Sequence, residues 1–210
     1  MKDTMLLFDL DGTLWDASEQ VAQSYNIILR SLDLPNVRHD FTAKDISSLM
    51  GRTMDEIGRA LFPEMEEKER TRLFSQIMEY EVEYVSAHCG MLYPDTSATL
   101  SILREKGYPM AVVSNCQTGY IGAFFTSSGL GSFFCDYEEW GRTGRPKAEN
   151  IRLVMERNHF EKAVYIGDTA GDQQSAAGAH IPFIHAAYGY GAVTGADTVI
   201  SRLFELTDLF

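Results

Sequence analysis

Six short apolar runs, spaced along 210 residues, constrain this chain more than any other feature. They are "MLLFDL" (5–10), "YPMAVVSN" (108–115), "GSFFCDY" (131–137), "KAVYIGD" (162–168), "IPFIHAA" (181–187) and a weaker "DTVIS" (197–201). Helix-like text stands between them. "DTSATLSILREKG" (95–107) has an Asp at its N-cap position, a Lys in its last turn and a closing Gly. "KAENIRLVMERN" (147–158) and "DQQSAAGAH" (172–180) follow, and "RLFELTDLF" ends the chain. Strands too apolar to face water, alternating with amphipathic helices, predict parallel βαβ units: an α/β protein with a doubly wound, Rossmann-like sheet.

One interval breaks the alternation. From Ala17 to about Ala87 the text is helical throughout, in "SEQVAQSYNIILRSL", "TAKDISSLM", "MDEIGRALF" and "EEKERTRLFSQIMEYEVEYVSAH", punctuated by Pro35 and Pro63. An interval this long exceeds a simple crossover. The expectation is a core of residues 1–16 and 88–210 carrying an inserted helical subdomain, 17–87, with hinges near Asp16 and Tyr93.

Composition excludes several function classes. Eighteen Lys and Arg against thirty Asp and Glu leave a formal charge of −12, and no basic stripe exists to displace counterions from nucleic acid or an anionic membrane. No run approaches the ~18 apolar residues of a bilayer span. The amino end has acids where a signal peptide's apolar stretch would continue. Cys89, Cys116 and Cys135 are odd in number and scattered, which fits reduced core thiols in a cytoplasmic protein. Net charge does not exclude an anionic substrate, because a local cation can reverse the field at one site.

In an open parallel sheet, ligands collect beyond the carboxyl ends of the strands. The first run ends in Asp9-Leu10-Asp11-Gly12-Thr13, the second in Ser114-Asn115, and the fourth in Gly167-Asp168-Thr169-Ala170-Gly171-Asp172. Lys147 opens the helix that leads into the fourth strand. Carboxylates crowded at the edge of a core repel one another and resist desolvation, so a compensating cation is expected. Oxygen ligands, hydroxyls, backbone amides and one lysine suit Mg²⁺ and a phosphoryl group.

DxDGT at the first strand, Ser at the second, Lys before the fourth and GDxxxD at the fourth resemble the haloacid dehalogenase superfamily, in order and spacing, from Met5 to about Gly191. The helical insertion resembles that family's cap. The resemblance implies an Mg²⁺-dependent phosphatase acting on a small-molecule phosphate ester. Asp9 would be the nucleophile that forms an aspartyl-phosphate, and Asp11 the general acid and base. Lys147 would offset the charge where nucleophile meets phosphate. Metal ligation would fall to Asp9, the backbone carbonyl of Asp11 and Asp168, with Asp172 either ligating or orienting the ligands. Thr13, Ser114 and Asn115 would hold the substrate's phosphate.

Several positions keep competing readings. Arg142 and Arg145 lie near Lys147, and "RPK" inverts the family's more common Lys-Pro order. Asp172 can equally cap a helix, Asp16 can mark a hinge or a helix start, and Tyr188-Gly-Tyr-Gly reads as a loop beside the site or as a plain turn. The five histidines show no paired metal spacing. Arg52, at the start of a probable cap helix, can reach a substrate carboxylate or second phosphate, or can simply be solvated. Dehalogenases of the superfamily lack the second acid, so Asp11 favours phosphoryl transfer. A phosphoglycolate phosphatase-like activity is expected, a β-phosphoglucomutase-like one is the alternative, and a non-catalytic phosphate binder is opposed by the intact set of site residues.

Overall fold

The computed structural model describes residues 2–210. Strand β1 (Thr4–Phe8) is followed by the two-residue β2 (Trp15–Asp16) and by four helices: α1 (Ser18–Leu32), α2 (Ala43–Ser47), α3 (Met54–Leu61) and α4 (Glu67–Ala87). After β3 (Met91–Leu92) come α5 (Thr96–Glu105), β4 (Met110–Ser114), α6 (Tyr120–Ser128), β5 (Asp136–Glu139), the one-turn α7 (Trp140–Thr143), α8 (Lys147–Arg157) and β6 (Lys162–Gly167). Helix α9 (Ala170–Ala179), β7 (Phe183–Ala186), β8 (Thr198–Ile200) and the short α10 (Leu206–Leu209) complete the chain.

Six strands form one parallel sheet in the order β5-β4-β1-β6-β7-β8. Because β1 sits between β4 and β6, successive crossovers leave it in opposite directions, and the crevice opens at its carboxyl end. Alternation along β1 serves both faces. Met5 and Leu7 pack with Ile151 and Val154 of α8, whereas Leu6 and Phe8 join the larger core that runs toward α5, α6 and the α1–α4 helices. A strand covered on both sides has no solvent face, which is why "MLLF" reads as unbroken apolar text.

Helices α1–α4 fill the interval that the sequence marks as helical. Beneath them, β2 and β3 pair antiparallel, Trp15 with Leu92 and Asp16 with Met91, so both chain crossings run through one short ribbon. Asp16 Oδ1 accepts from Ser18 N at 2.9 Å and from Tyr190 OH at 2.6 Å, starting α1 and tying it to the far end of the chain.

Three local expectations need correction. "GSFFCDY" is mainly a 3₁₀ turn at Gly131–Phe133, and the strand lies further on at Asp136–Glu139. Glu138 and Glu139 complete that strand although both are acids; they are buried, Glu138 against Arg157 at 2.6 Å and Glu139 against the Gly119 amide at 2.7 Å. Asp95 occupies its N-cap position in the left-handed conformation and makes no side-chain cap. Of the cysteines only Cys116 is buried; Cys89 and Cys135 are exposed. Among the described residues no helix is long and apolar enough to cross a membrane.

Candidate active site

Asp9 follows β1 directly, and its amide donates to Ile166 O of the neighbouring β6 at 2.8 Å, so the sheet ladder itself fixes the residue. Asp168 follows β6, and Asp172 lies one turn into α9. One carboxylate oxygen from each of these three buried acids lies within 4.8 Å of the others. Lys147, the first residue of α8 and only 4% exposed, donates to Asp9 Oδ1 at 3.0 Å and to Asp172 Oδ1 at 2.6 Å. Arg142 instead sits against Glu138, and Arg145 is exposed. Lys147 is therefore the cation that reaches the acids.

The two oxygens of Asp172 are both engaged. Oδ2 accepts from the amide of Thr169 at 2.9 Å and from its hydroxyl at 2.6 Å, closing a capping box at the start of α9, while Oδ1 takes the lysine. Asp172 thus caps the helix and holds Lys147 together. Asp168 differs: Oδ2 accepts from the amides of Tyr190 and Gly191, at 2.7 and 3.3 Å, but Oδ1 is buried with no partner. The Tyr188–Gly191 loop is accordingly part of the site. It needs glycine at 189, because a Cβ there would stand 2.3 Å from Gly12 O and 2.4 Å from Asp168 Cβ. Gly12 is equally constrained, with φ +83° and the Asp168 carboxylate where its side chain would be.

Three carboxylates against one ammonium leave the floor of the site short of positive charge. Burial, with Asp172 beside it, lifts Asp9 to about 6, and burial next to Asp9 lifts Asp168 to about 7. Burial opposes the charge on Lys147, but Asp172 and Asp9 outweigh it and keep the ammonium well above the ordinary lysine range. The cluster must take up protons or a cation. A buried, unpartnered carboxylate oxygen among hard oxygen donors fits a divalent ion such as Mg²⁺, with Asp9 and Asp168 best placed to hold it.

Asp11 points another way. Its Oδ1 accepts from Trp15 Nε1 at 2.9 Å and from Tyr120 OH at 3.1 Å, which fixes the carboxyl's orientation. Burial and the nearby charge of Asp9 hold it well above the usual carboxylate range. Ser114 ends β4 and is buried; Thr13 is fully buried with its hydroxyl unpartnered. Asn115 Nδ2 donates to Gly51 O at 3.2 Å, a contact between the β4 end and the loop before α3. Arg52, next to Gly51, is exposed and does not line the cavity that adjoins Asp11.

That cavity contains a residue the sequence reading missed. Glu81 of α4 is buried, and desolvation raises its carboxyl to about 7 although Gln117 and Tyr25 stand beside it. The signal was present: Ile77, Glu81 and Val85 share one helical stripe, so the acid stands where the periodicity asks for a hydrophobe.

Comparison with known proteins bears on the family and the fold. A sequence model of the haloacid dehalogenase-like hydrolases matches residues 6–186. The chain is 31% identical to a phosphoglycolate phosphatase of Rhodobacter capsulatus, over 88% of this chain and 84% of that protein. A structure described as a predicted phosphoglycolate phosphatase from Haemophilus somnus superposes with a TM-score of 0.83 at 21% identity, covering 100% of this chain and 99% of that one. CbbY from Rhodobacter sphaeroides, solved in complex with phosphate, gives 0.79 at 19% identity over 96% and 95% of the two chains. At such identities the structural likenesses establish the fold alone.

Proposed function

The chain belongs to the haloacid dehalogenase-like hydrolases, and on that premise we propose that it is an Mg²⁺-dependent phosphatase that hydrolyses a small-molecule phosphate monoester through an aspartyl-phosphate. What carries this reading is the pairing of a charge-deficient acidic floor, with Asp168 Oδ1 bare and buried, and a second carboxyl, Asp11, fixed by Trp15 and Tyr120 beside a cavity. A structural cluster of acids has no use for either feature.

In this proposal Asp9 attacks phosphorus in line, forming a P–O bond to its carboxylate as the bond to the alcohol oxygen breaks. Lys147 keeps Asp9 ionised and offsets the repulsion between carboxylate and phosphate, while Asp172 holds the ammonium in place. Asp11 gives its proton to the leaving oxygen. It then takes a proton from the water that attacks phosphorus and frees Asp9 and inorganic phosphate. Trp15 and Tyr120 occupy one Asp11 oxygen, which leaves the other for this exchange. Mg²⁺, held by Asp9, Asp168 and the backbone carbonyl of Asp11, would polarise the phosphoryl group and neutralise the charge developing on it. Thr13, Ser114 and the backbone amide of Asn115 are the proposed phosphate contacts, and helices α1–α4 the proposed cap, residues 17–87, that closes over the substrate.

The direct test is phosphate release from 4-nitrophenyl phosphate with Mg²⁺ and with a chelator. Release that requires the metal supports the proposal. Release undiminished after exhaustive chelation contradicts the metal site, and no release from any phosphate ester contradicts the phosphatase.

A further inference from the structure

The cavity beside Asp11 lies between the strand ends and the inner faces of α1, α3 and α4, and has a volume of about 40 Å³. That is room for about three water-sized groups. Val21, Leu49, Met54 and Ile57 supply apolar walls. Asp11, Tyr25, Cys116 and Tyr120 also line it, together with Glu81 and Gln117, which are 4% and 7% exposed. The last two each carry a buried atom without a partner: Glu81 Oε2, an acceptor, and Gln117 Nε2, a donor. Gln117 and the Tyr25 hydroxyl stand at the Glu81 carboxyl, but neither closes a hydrogen bond of full geometry on Oε2, so the acceptor and the Gln117 donor beside it are placed for one small group to bridge. No lysine, arginine or histidine lines the space among the described residues.

We propose that Glu81 and Gln117 form the specificity site for the alcohol part of the ester, and that it takes the free hydroxyl of a short diol monophosphate while turning away alcohols that carry a carboxylate. The proposal rests on the phosphatase reading and deepens it at the leaving group. A hydroxyl donates to Glu81 and accepts from Gln117 through a single atom, and on a short alcohol it does so in place of a water. Ethylene glycol beyond its bridging oxygen offers two carbons and one hydroxyl, which matches the available room. Glycolate is the same length but ends in a carboxylate. Seating it would press a second negative charge against a desolvated acid with no cation at hand. The substrate named by the phosphoglycolate phosphatase relatives is therefore a poor fit to this chain.

The test compares kcat/KM for 2-hydroxyethyl phosphate, ethyl phosphate and 2-phosphoglycolate, with 4-nitrophenyl phosphate as a separate check on the chemistry. The wild-type protein should prefer 2-hydroxyethyl phosphate over each of the other two alkyl esters by about 100-fold or more, since a site built for a hydroxyl is left unpaired without one. Glu81→Gln removes the charge and keeps shape and an acceptor. It should bring 2-phosphoglycolate at least about 10-fold closer to 2-hydroxyethyl phosphate. Gln117→Leu should narrow the gap between 2-hydroxyethyl and ethyl phosphate by a similar factor. Each readout is a ratio within one preparation, so a variant that folds incompletely still reports. Wild-type preference for 2-phosphoglycolate, or ratios unmoved by both variants, would overturn the inference while metal-dependent turnover of the nitrophenyl ester left the phosphatase standing. Failure on all four esters would remove the phosphatase reading and the inference with it.

Discussion

The floor and the roof of the site bury their acids under opposite rules. On the floor, Asp9, Asp168 and Asp172 stand on strand ends and a helix cap, compensated in part by Lys147 and shaped to gain a cation. In the roof, Glu81 is the one acid on an apolar helical stripe, with the neutral Gln117 and Tyr25 beside it and no cation among the described residues that line its cavity. On the proposed function, the charge that acts on phosphorus is the one gathered where a cation fits. On the proposed specificity role, the acid that discriminates between alcohols has only neutral neighbours, so that a second negative group makes a large difference. The two proposals together place chemistry and selectivity on different segments of the chain, and Asp11 borders both.

The largest effect that could break this division is at the nucleophile. Asp9→Asn keeps the side chain's size and its hydrogen bond to Lys147 but replaces the attacking oxygen with an amide. We expect kcat for any phosphate ester to fall by at least ~10⁴-fold, while the thermal midpoint of the metal-free protein stays level or rises because the floor loses one crowded charge. A drop of both together would mean that Asp9 serves the fold.

A smaller effect separates floor from roof by pH. Asp9, Asp168 and Glu81 titrate near 6 to 7 in the folded protein and near 4 when unfolded, so the folded state binds more protons between those values. Raised acids make stability fall as pH rises through this window. Without metal, the thermal midpoint should drop by about 5 °C or more between pH 5 and pH 8, at ~2–4 °C per kcal/mol for a chain of this size. Saturating Mg²⁺ should recover the floor's share at pH 8, do little at pH 5, and leave a residual slope that Glu81→Gln removes. A midpoint flat in pH and indifferent to Mg²⁺ would show that the floor is not short of charge.

The smallest effect concerns the seam between the two regions. Asn115→Ala deletes the bond to Gly51 O, a half-exposed contact whose net value is ~0.5–1.5 kcal/mol. A rise in KM of about 2- to 10-fold, with kcat nearly unchanged, is expected from steady-state assays. A collapse of kcat would instead place Asn115 in the chemistry.

The floor was legible in the sequence because its residues sit where buried strands stop, and polar text after "MLLF" or "VYI" has few structural uses. Lys147 was legible through its place before β6, and the competing arginines were separated from it only by distance. The roof was hidden. Glu81 lies in "EYEVEYVSAH", where neighbouring glutamates on the solvent side disguise an acid on the core side, and only the helical phase distinguishes them. Tyr120 and Trp15 gave no sign of holding Asp11, since residues distant in the chain, or at a turn, meet it only after folding. The β2–β3 ribbon is two residues long on each side, too short for any periodicity. Strand β5 was misplaced because two acids, Glu138 and Glu139, finish it in the interior, paired with Arg157 and with the start of α6.

The central claim is that Asp9 carries the phosphoryl group and Asp11 moves the proton. Rapid-quench labelling with a nitrophenyl ester tests it most directly, because that leaving group needs little protonation. Asp11→Asn should still phosphorylate Asp9 and then stall, its hydrolysis slowed by roughly 10²–10⁴-fold for want of a base. The account predicts phosphate trapped on Asp9 in the Asp11 variant and no labelled protein in Asp9→Asn. Label on the Asp9 variant and none on the Asp11 variant would contradict it and exchange the two roles.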